Sequence, residues 1–426
     1  MTARPLGIAR RSIVVAALST VVEWYDFTLY LYFATILSRV FFGGGEASLL
    51  ATLGGFAVAY LMRPVGAVVF GHIGDRQGRR PMLLLSMAVM SAAMLATALL
   101  PTHAQIGPAA AWLLIALRCV MGFSVGGEYT GVIAYLLEGA RPGRRGLVAS
   151  LAAAASEVGA LLAVAVAALT VSLTSEVELQ SWGWRIPFFA GAALAGAVWL
   201  ARRAMEESPG FERLRAANLL VRNPLGHALS RQRAALARAF AISALGSITY
   251  YVGITYVPAF LTTAGSMSET DSLWLSTIAA IAVILVTPVV GLLSDRYGRK
   301  PALVVLAILS AALPIALFAL LAGASAGQAL LGAVVLALVA GGVSAVGAIA
   351  TGEQFTEESR ASGLGLGYTV ATAIFGGLTP YLAQRLVDRT GSPEMPGVMI
   401  AVVAVAVLPV FLTMRETAPR TRAPSG

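Results

Sequence analysis

Hydrophobic and polar positions divide the chain into long apolar runs separated by short charged segments. Twelve runs recur, at 12 to 42, 48 to 71, 81 to 100, 110 to 137, 147 to 173, 184 to 201, 239 to 264, 271 to 293, 301 to 322, 328 to 352, 362 to 384 and 395 to 414. Each comes close to the roughly 20 residues that a helix needs to cross a hydrocarbon core of about 30 Å. The runs are continuous rather than alternating, and in lipid a strand without partners leaves its backbone N–H and C=O groups unsatisfied, so helices are expected throughout. Gly, Ala and Ser are frequent inside them, and such small residues let helix backbones approach closely. The pattern predicts an all-α polytopic membrane protein with twelve transmembrane helices.

Composition agrees: 58% of the 426 residues are hydrophobic and 12% are charged, against about a quarter charged in soluble domains. The net charge of +9 raises nucleic-acid binding as a possibility, but its distribution points to topology. Arg4, Arg10, Arg11, Arg76, Arg79, Arg80, Arg141, Arg144, Arg145, Arg296, Arg299, Lys300, Arg360, Arg415, Arg420 and Arg422, with eight arginines between Arg202 and Arg238, make 24 of the 30 basic residues, all on one side of the predicted spans. The positive-inside rule assigns that side, both termini and the segment 202–238 to the cytoplasm. The bilayer is the expected partner and nucleic acid is not. Cys119 stands alone, so no intrachain disulfide is expected. Arg10 and Arg11 before an apolar run resemble a secretion signal, but the run is long, holds Glu23 and Asp26 and has no convincing cleavage site, so it reads as an uncleaved first helix.

The punctuation repeats. GHIGDRQGRRP at 71 to 81 and GLLSDRYGRKP at 291 to 301 lie between the second and third runs of each half; six of eleven positions are identical, and Arg80 and Lys300 match in charge at a seventh. The offset predicts two pseudo-symmetric six-helix halves, 1–201 and 239–426, joined by a basic linker at 202–238. Gly78 and Gly298 suit a tight turn, and Pro81 and Pro301 the first turn of the next helix. Asp75 and Asp295 can accept bonds from helix-end amides or from an arginine. Two roles fit: a topological anchor, or a latch of Asp75, Arg76, Arg79 and Asp295, Arg296, Arg299 that changes partners as the halves rock.

Together with Arg118, Gly122 and Gly126 spaced as RxxxGxxxG in the fourth run, this repeat resembles the major facilitator superfamily. VVEWYDF (21–27), LMRPVGA (61–67), GFSVGGEYTG (122–131), WGWRIPFF (182–189) and ESPGF (207–211) are similar to its metabolite:proton symporters, which include carriers of citrate, 2-oxoglutarate, proline and betaine. The resemblance implies that spans one, four, seven and ten line a central cavity, that Arg118 stands where the superfamily has an arginine associated with proton transfer, and that Glu23, Asp26 and Glu128 fit the family's acidic pattern.

An ionised side chain at the centre of a membrane helix costs roughly 2.5 to 3.5 kcal/mol on insertion scales, so each one asks for a partner or a task. At about 1.5 Å per residue, Glu23 and Glu128 lie at similar depth, with Arg118 higher, near Asp26 or Tyr30. Glu23, Asp26, Arg118 and Glu128 are the expected proton-coupling set, and the spacing leaves open which acid carries the proton. Arg63 and Glu157, also deep, are expected to form a structural ion pair. The second half has no Asp, Glu, Lys or Arg in the interior of its runs, Asp271 and Arg385 standing at edges. It offers Tyr250, Tyr251, Thr351 and Tyr368, which with Tyr30, Arg118 and Tyr129 form the expected substrate-binding set. Proton handling thus falls to the first half, neutral hydrogen bonding and gating to the second.

These features predict a proton-coupled symporter of a small polar metabolite, acting by alternating access as a monomer in the inner membrane, with no cofactor and no metal. No GxxxxGK[ST] signature is present, and the linker is too short for a nucleotide-binding domain, which argues against a primary pump. Distributed charges and the repeat argue against an intramembrane enzyme. An intramembrane arginine suits a carboxylate, and ATAIFGGLTP (371–380) is similar to the citrate-type carriers, making a di- or tricarboxylate the first expectation. GFSVGGEYTG and TYYVGITYVPAFL (249–261) are similar to the proline/betaine type, so a zwitterionic osmolyte is the alternative.

Overall fold

The computed structural model describes residues 10–44, 46–141, 143–265, 267–323 and 325–418. Arg4, Arg420 and Arg422 lie outside them. Among the described residues every regular element is helical. The spans are α1 (Arg10–Tyr32), α2 (Glu46–Arg76), α3 (Arg79–Ala98), α4 (Ala109–Gly139), α5 (Arg145–Leu173), α6 (Arg185–Arg202), α7 (Arg233–Tyr250), α8 (Glu269–Tyr297), α9 (Arg299–Ala322), α10 (Ala326–Glu353), α11 (Arg360–Thr372) and α12 (Met395–Thr413). Among the described residues eleven helices are long and apolar enough to cross a membrane, and the bent pair Glu176–Gly183 and Arg185–Arg202, taken as one span, makes twelve.

The structure breaks several of the predicted runs. The first divides at Phe33 into α1 and a short helix, Ala34–Phe42, which ends on Gly43 in the left-handed conformation. The seventh and eleventh continue past α7 and α11 as π-helical turns, Tyr251–Thr255 and Ala373–Gly377, before the outer segments Val257–Thr263 and Thr379–Thr390. Arg385, Asp388 and Arg389 lie in the last of these. Arg202, which the hydropathy pattern assigns to the linker, lies in the last turn of α6 and is fully buried.

The chain forms two compact units, each of which includes a piece from the other half of the sequence. The first holds the chain up to Tyr135, Ala155–Leu225 and Glu357–Gly365; the second holds Leu136–Ala154, Gly226–Thr356 and the chain from Leu366. In the first unit α3 packs along α6, and in the second α9 packs along α12, equivalent places in the repeat. The core of the first unit is rich in aromatic residues and methionine, including Tyr25, Phe33, Phe41, Met87, Met90, Met94, Trp184 and Phe188. In the second unit, hydrophobic clusters drawing on α7, α9, α10 and α12 are mostly aliphatic, with Tyr256, Phe260, Phe318 and Phe411 among them.

Glycines of α4 set its distance from α2. A methyl group at Gly122 would collide with the Ala59 carbonyl oxygen, and one at Gly126 with that of Arg63. The two backbones therefore pass in contact, fixing Arg63 and Arg118 on adjoining helices. Overpacking of a dense interior costs roughly 1–3 kcal/mol or more. Gly122→Ala is accordingly expected to lower the melting temperature of the purified protein by several degrees and to reduce folded yield.

Candidate functional site

Both copies of the repeated segment end in the same local structure. Gly78 and Gly298 take φ values of 117° and 109°, which only glycine adopts readily, and the next helix starts at once with Arg79 or Arg299. In the first unit Asp75, on the last turn of α2, accepts hydrogen bonds from the backbone N–H of Ala361 at 3.1 Å and Ser362 at 2.8 Å, and from Arg79 Nη1 at 2.8 Å. In the second, Asp295 accepts from the N–H of Gly146 at 2.8 Å and Leu147 at 3.0 Å, and from Arg299 Nη2 at 2.7 Å. Each carboxylate thus sits on the open amides at a helix start, α11 or α5, where the helix dipole favours a negative charge. Arg299 also lies 3.3 Å from Glu353. Arg76 and Arg296, expected in the same latch, are exposed.

Each copy also has a second acid that the sequence repeat does not reveal. Glu207 accepts from the N–H of Arg79 and Arg80, and Glu416 from those of Arg299 and Lys300. These are the first amides of α3 and α9. Burial pushes the Glu207 carboxyl up, against the N–H bonds it accepts. At Glu416 burial acts the same way, but the N–H groups of Ala418, Arg299, Lys300 and Thr417 outweigh it and hold the carboxyl below its usual range. The signal was present in the sequence only as an acid shortly after the sixth and twelfth runs.

Deep in the first unit lie four carboxylates, Glu23, Asp26, Glu128 and Glu157, and three guanidiniums, Arg63, Arg118 and Arg202, each at most 3% exposed. Glu23 and Asp26 share a face of α1 at a spacing of three residues. Arg118 Nη1 donates to Asp26 at 2.7 Å and Nη2 to Thr97 Oγ1 at 3.0 Å, and its guanidinium stands 5.3 Å from the centre of the Tyr30 ring. Asp26 Oδ1 and Arg118 Nε have no hydrogen-bond partner, and both residues line a small cavity with Phe27, Tyr30, Phe56, Ala59, Met121, Gly122 and Val125.

Arg63 lies 3.8 Å from Glu23, beyond hydrogen-bond length, with its guanidinium carbon 4.4 Å from the centre of the Phe27 ring and 4.3 Å from that of Tyr60. Cation–π contact therefore holds this arginine beside α1. Glu23 Oε2 has no hydrogen-bond partner. Glu128, expected at the depth of Glu23, is bound by Arg202 Nη1 at 3.1 Å, by Arg202 Nη2, and by the Ser86 hydroxyl at 2.5 Å. Glu157 is buried on α5.

The remaining expected substrate residues divide between the units. Tyr30 donates its hydroxyl to the Thr52 carbonyl at 2.9 Å, and Tyr129 follows Glu128 on α4 and is half-buried. In the second unit the Tyr250 and Tyr251 rings meet edge to face at 5.5 Å, at the junction of α7 with its π turn. Tyr251 also packs on Gly376 of the other π turn, where a methyl group would lie 2.9 Å from the ring. Thr351 donates to the Gly347 carbonyl at 2.7 Å, and Tyr368 is half-buried on α11. Beyond the π turns the two outer segments are joined by a bond from the Tyr256 hydroxyl to Gln384 at 2.8 Å.

Among known proteins, the family described as Sugar (and other) transporter matches residues 12–219, and the Major Facilitator Superfamily matches residues 254–426. The proline/betaine transporter of Salmonella typhimurium is 33% identical over 425 residues, covering 97% of this chain and 85% of that one. The alpha-ketoglutarate permease of Escherichia coli is 36% identical over 380 residues, 88% of this chain and 87% of that one. The citrate-proton symporter of Klebsiella pneumoniae is 31% identical over 389 residues, 91% and 87%. Among solved structures, the proton:xylose symporter XylE bound to 6-bromo-6-deoxy-D-glucose superimposes with a TM-score of 0.77 over 96% of each chain at 18% identity, a likeness of fold.

Proposed function

Because this chain belongs to the major facilitator superfamily, in the branch of the proline/betaine, 2-oxoglutarate and citrate carriers, we propose that it is a proton-coupled symporter of a small carboxylate-bearing metabolite. The Asp26–Arg118 pair carries this reading. Its two free polar atoms, a carboxylate oxygen and a guanidinium nitrogen, belong to residues that line one cavity in the middle of the membrane-embedded unit. A substrate carboxylate that takes Arg118 from Asp26 gains a charge-assisted bond and leaves Asp26 to find another positive partner.

That partner distinguishes the two substrate classes. The intramembrane cluster already holds four acids against three arginines, so a tricarboxylate adds to an anionic excess, whereas a zwitterion adds no net charge. The rings of Phe27, Tyr30 and Phe56 in the cavity wall suit an alkylammonium group, which is attracted to aromatic faces. A zwitterion with its carboxylate on Arg118 and its cationic group on Asp26 and the rings uses every feature of the cavity. The chain acts as a monomer in the inner membrane, with the arginine-rich ends and both termini in the cytoplasm, as the positive-inside pattern supports.

The test is uptake into proteoliposomes under an imposed proton gradient, with proline, glycine betaine, 2-oxoglutarate and citrate as competitors. Uptake that collapses with a protonophore and is competed by the zwitterions is the expected result. Uptake driven by sodium alone would overturn the proton coupling, and competition only by citrate or 2-oxoglutarate would overturn the zwitterionic substrate.

A further inference from the structure

The ion pair of Glu128 and Arg202 has no part in the scheme above. Both residues are fully buried, and neither lines the cavity of Asp26 and Arg118. Glu128 accepts two bonds from the guanidinium and one from Ser86, whose own carbonyl accepts the Ser124 hydroxyl at 2.5 Å. Arg202 Nη1 also donates to the Leu83 carbonyl. The carboxylate and the two terminal nitrogens of the guanidinium are thus held by fixed groups of α3, α4 and α6, while Arg202 Nε has no hydrogen-bond partner. Removing such a pair from water is costly and its net stabilisation is small, so its presence calls for a function beyond holding the fold.

The function is suggested by what else lies on α3. Arg79, Leu83 and Ser86 are spaced i, i+4, i+7 and share one face of the helix. Arg79 is bonded to the latch carboxylate Asp75, and Leu83 and Ser86 hold Arg202 and Glu128. Just after Arg202, the Arg203 carbonyl accepts from Arg80 at 2.6 Å and Glu207 caps the start of α3. The α6 chain therefore grips α3 at two levels, its first amides and the Leu83 carbonyl, roughly 6 Å apart at about 1.5 Å per residue. We propose that Arg202 is a positioning residue of the transport cycle. By holding Glu128 as a fixed carboxylate it makes α3, α4 and α6 move as one piece, so the latch at Asp75 opens together with the intramembrane site. Glu128 is then not a proton carrier, and protons are left to the other charged groups of the unit, Glu23, Asp26 and Glu157 with Arg63 and Arg118.

The proposal rests on the symport reading, and its test separates the two. In the double variant Glu128→Gln, Arg202→Gln both charges go together, which a buried pair tolerates better than loss of one partner. Transport per folded transporter is expected to fall about tenfold or more in Vmax, for net uptake and counterflow alike, with KM within about threefold and the pH profile of the remaining uptake unchanged. Unchanged turnover per folded molecule would make the pair purely structural. Loss of proton-driven accumulation with normal counterflow would make Glu128 a carrier. Either overturns the proposal.

If wild-type protein transports none of the tested metabolites, the symport reading fails by itself, and the mechanical claim is read from labelling. In a Cys119→Ser background with Ser362→Cys beside Asp75, maleimide labelling is expected to be about tenfold faster in the double variant, and equal rates would overturn the claim. Should the double variant not fold, Arg202→Lys takes its place: it keeps the charge but not the two-pronged donor, and intermediate turnover with an intact pH profile is expected. Wild-type turnover there would overturn the proposal.

Discussion

Glu23→Gln is expected to abolish accumulation of substrate against its gradient while leaving counterflow exchange within a few fold of wild type. Of the four carboxylates in the intramembrane cluster, Asp26 and Glu128 each hold a hydrogen-bonded arginine. Glu23 has its nearest guanidinium at 3.8 Å and one oxygen without a hydrogen-bond partner. Among the described groups of this cluster carboxylates outnumber guanidiniums four to three, and a proton bound to one of the acids is the simplest way to balance them. The amide mimics the protonated acid in shape and charge but cannot release a proton. Exchange of substrate across the membrane, which needs no proton release, should survive. Proton-driven uptake by Glu23→Gln at the wild-type level would remove Glu23 from the mechanism.

Asp75→Ala should have the largest effect on stability. It removes the carboxylate from beside the buried guanidinium of Arg79 and takes the acceptor from the N–H groups of Ala361 and Ser362. Removing one partner of a buried ion pair typically costs about 3–5 kcal/mol. The expected result is a clear drop in melting temperature and loss of most transport, with Asp75→Asn, which keeps one acceptor oxygen, falling between. A melting temperature equal to that of wild type would show that these bonds contribute little.

What the sequence revealed follows from how locally each feature is encoded. The repeated turn was readable because Gly71 to Pro81 and Gly291 to Pro301 are contiguous copies whose glycine turn, helix start and acid all lie within eleven residues. Asp26 and Arg118 were readable by depth, since a fixed rise per residue converts position in a span into height in the membrane. Arg202 was not: hydropathy ends a span at a charge, and this arginine continues α6 only because Glu128 of another helix receives it. The approach of Arg63 to Glu23 was equally hidden, since Glu23 and Glu157 are both deep acids and only packing of side chains sets the distances. The caps Glu207 and Glu416 lie 128 and 117 residues beyond the amides they close, too far for any local pattern. The π turns after α7 and α11 give no hydropathy signal at all, because the apolar run continues through them.

The exchange of short segments between the two units bears on the order in which the protein can be built. Asp75 leaves the ribosome early, but the amides it holds belong to residues 286 and 287 positions later. The first unit therefore cannot finish folding when its own six spans have been inserted; it waits until α11 has begun to emerge. Asp295 meets the opposite situation, since Gly146 and Leu147 are made well before it. A split gene encoding residues 1–225 and 226–426 as separate polypeptides should consequently give active carrier only when both are synthesised together. The first fragment alone would reach the membrane with its acid uncapped, a ready substrate for quality-control proteases.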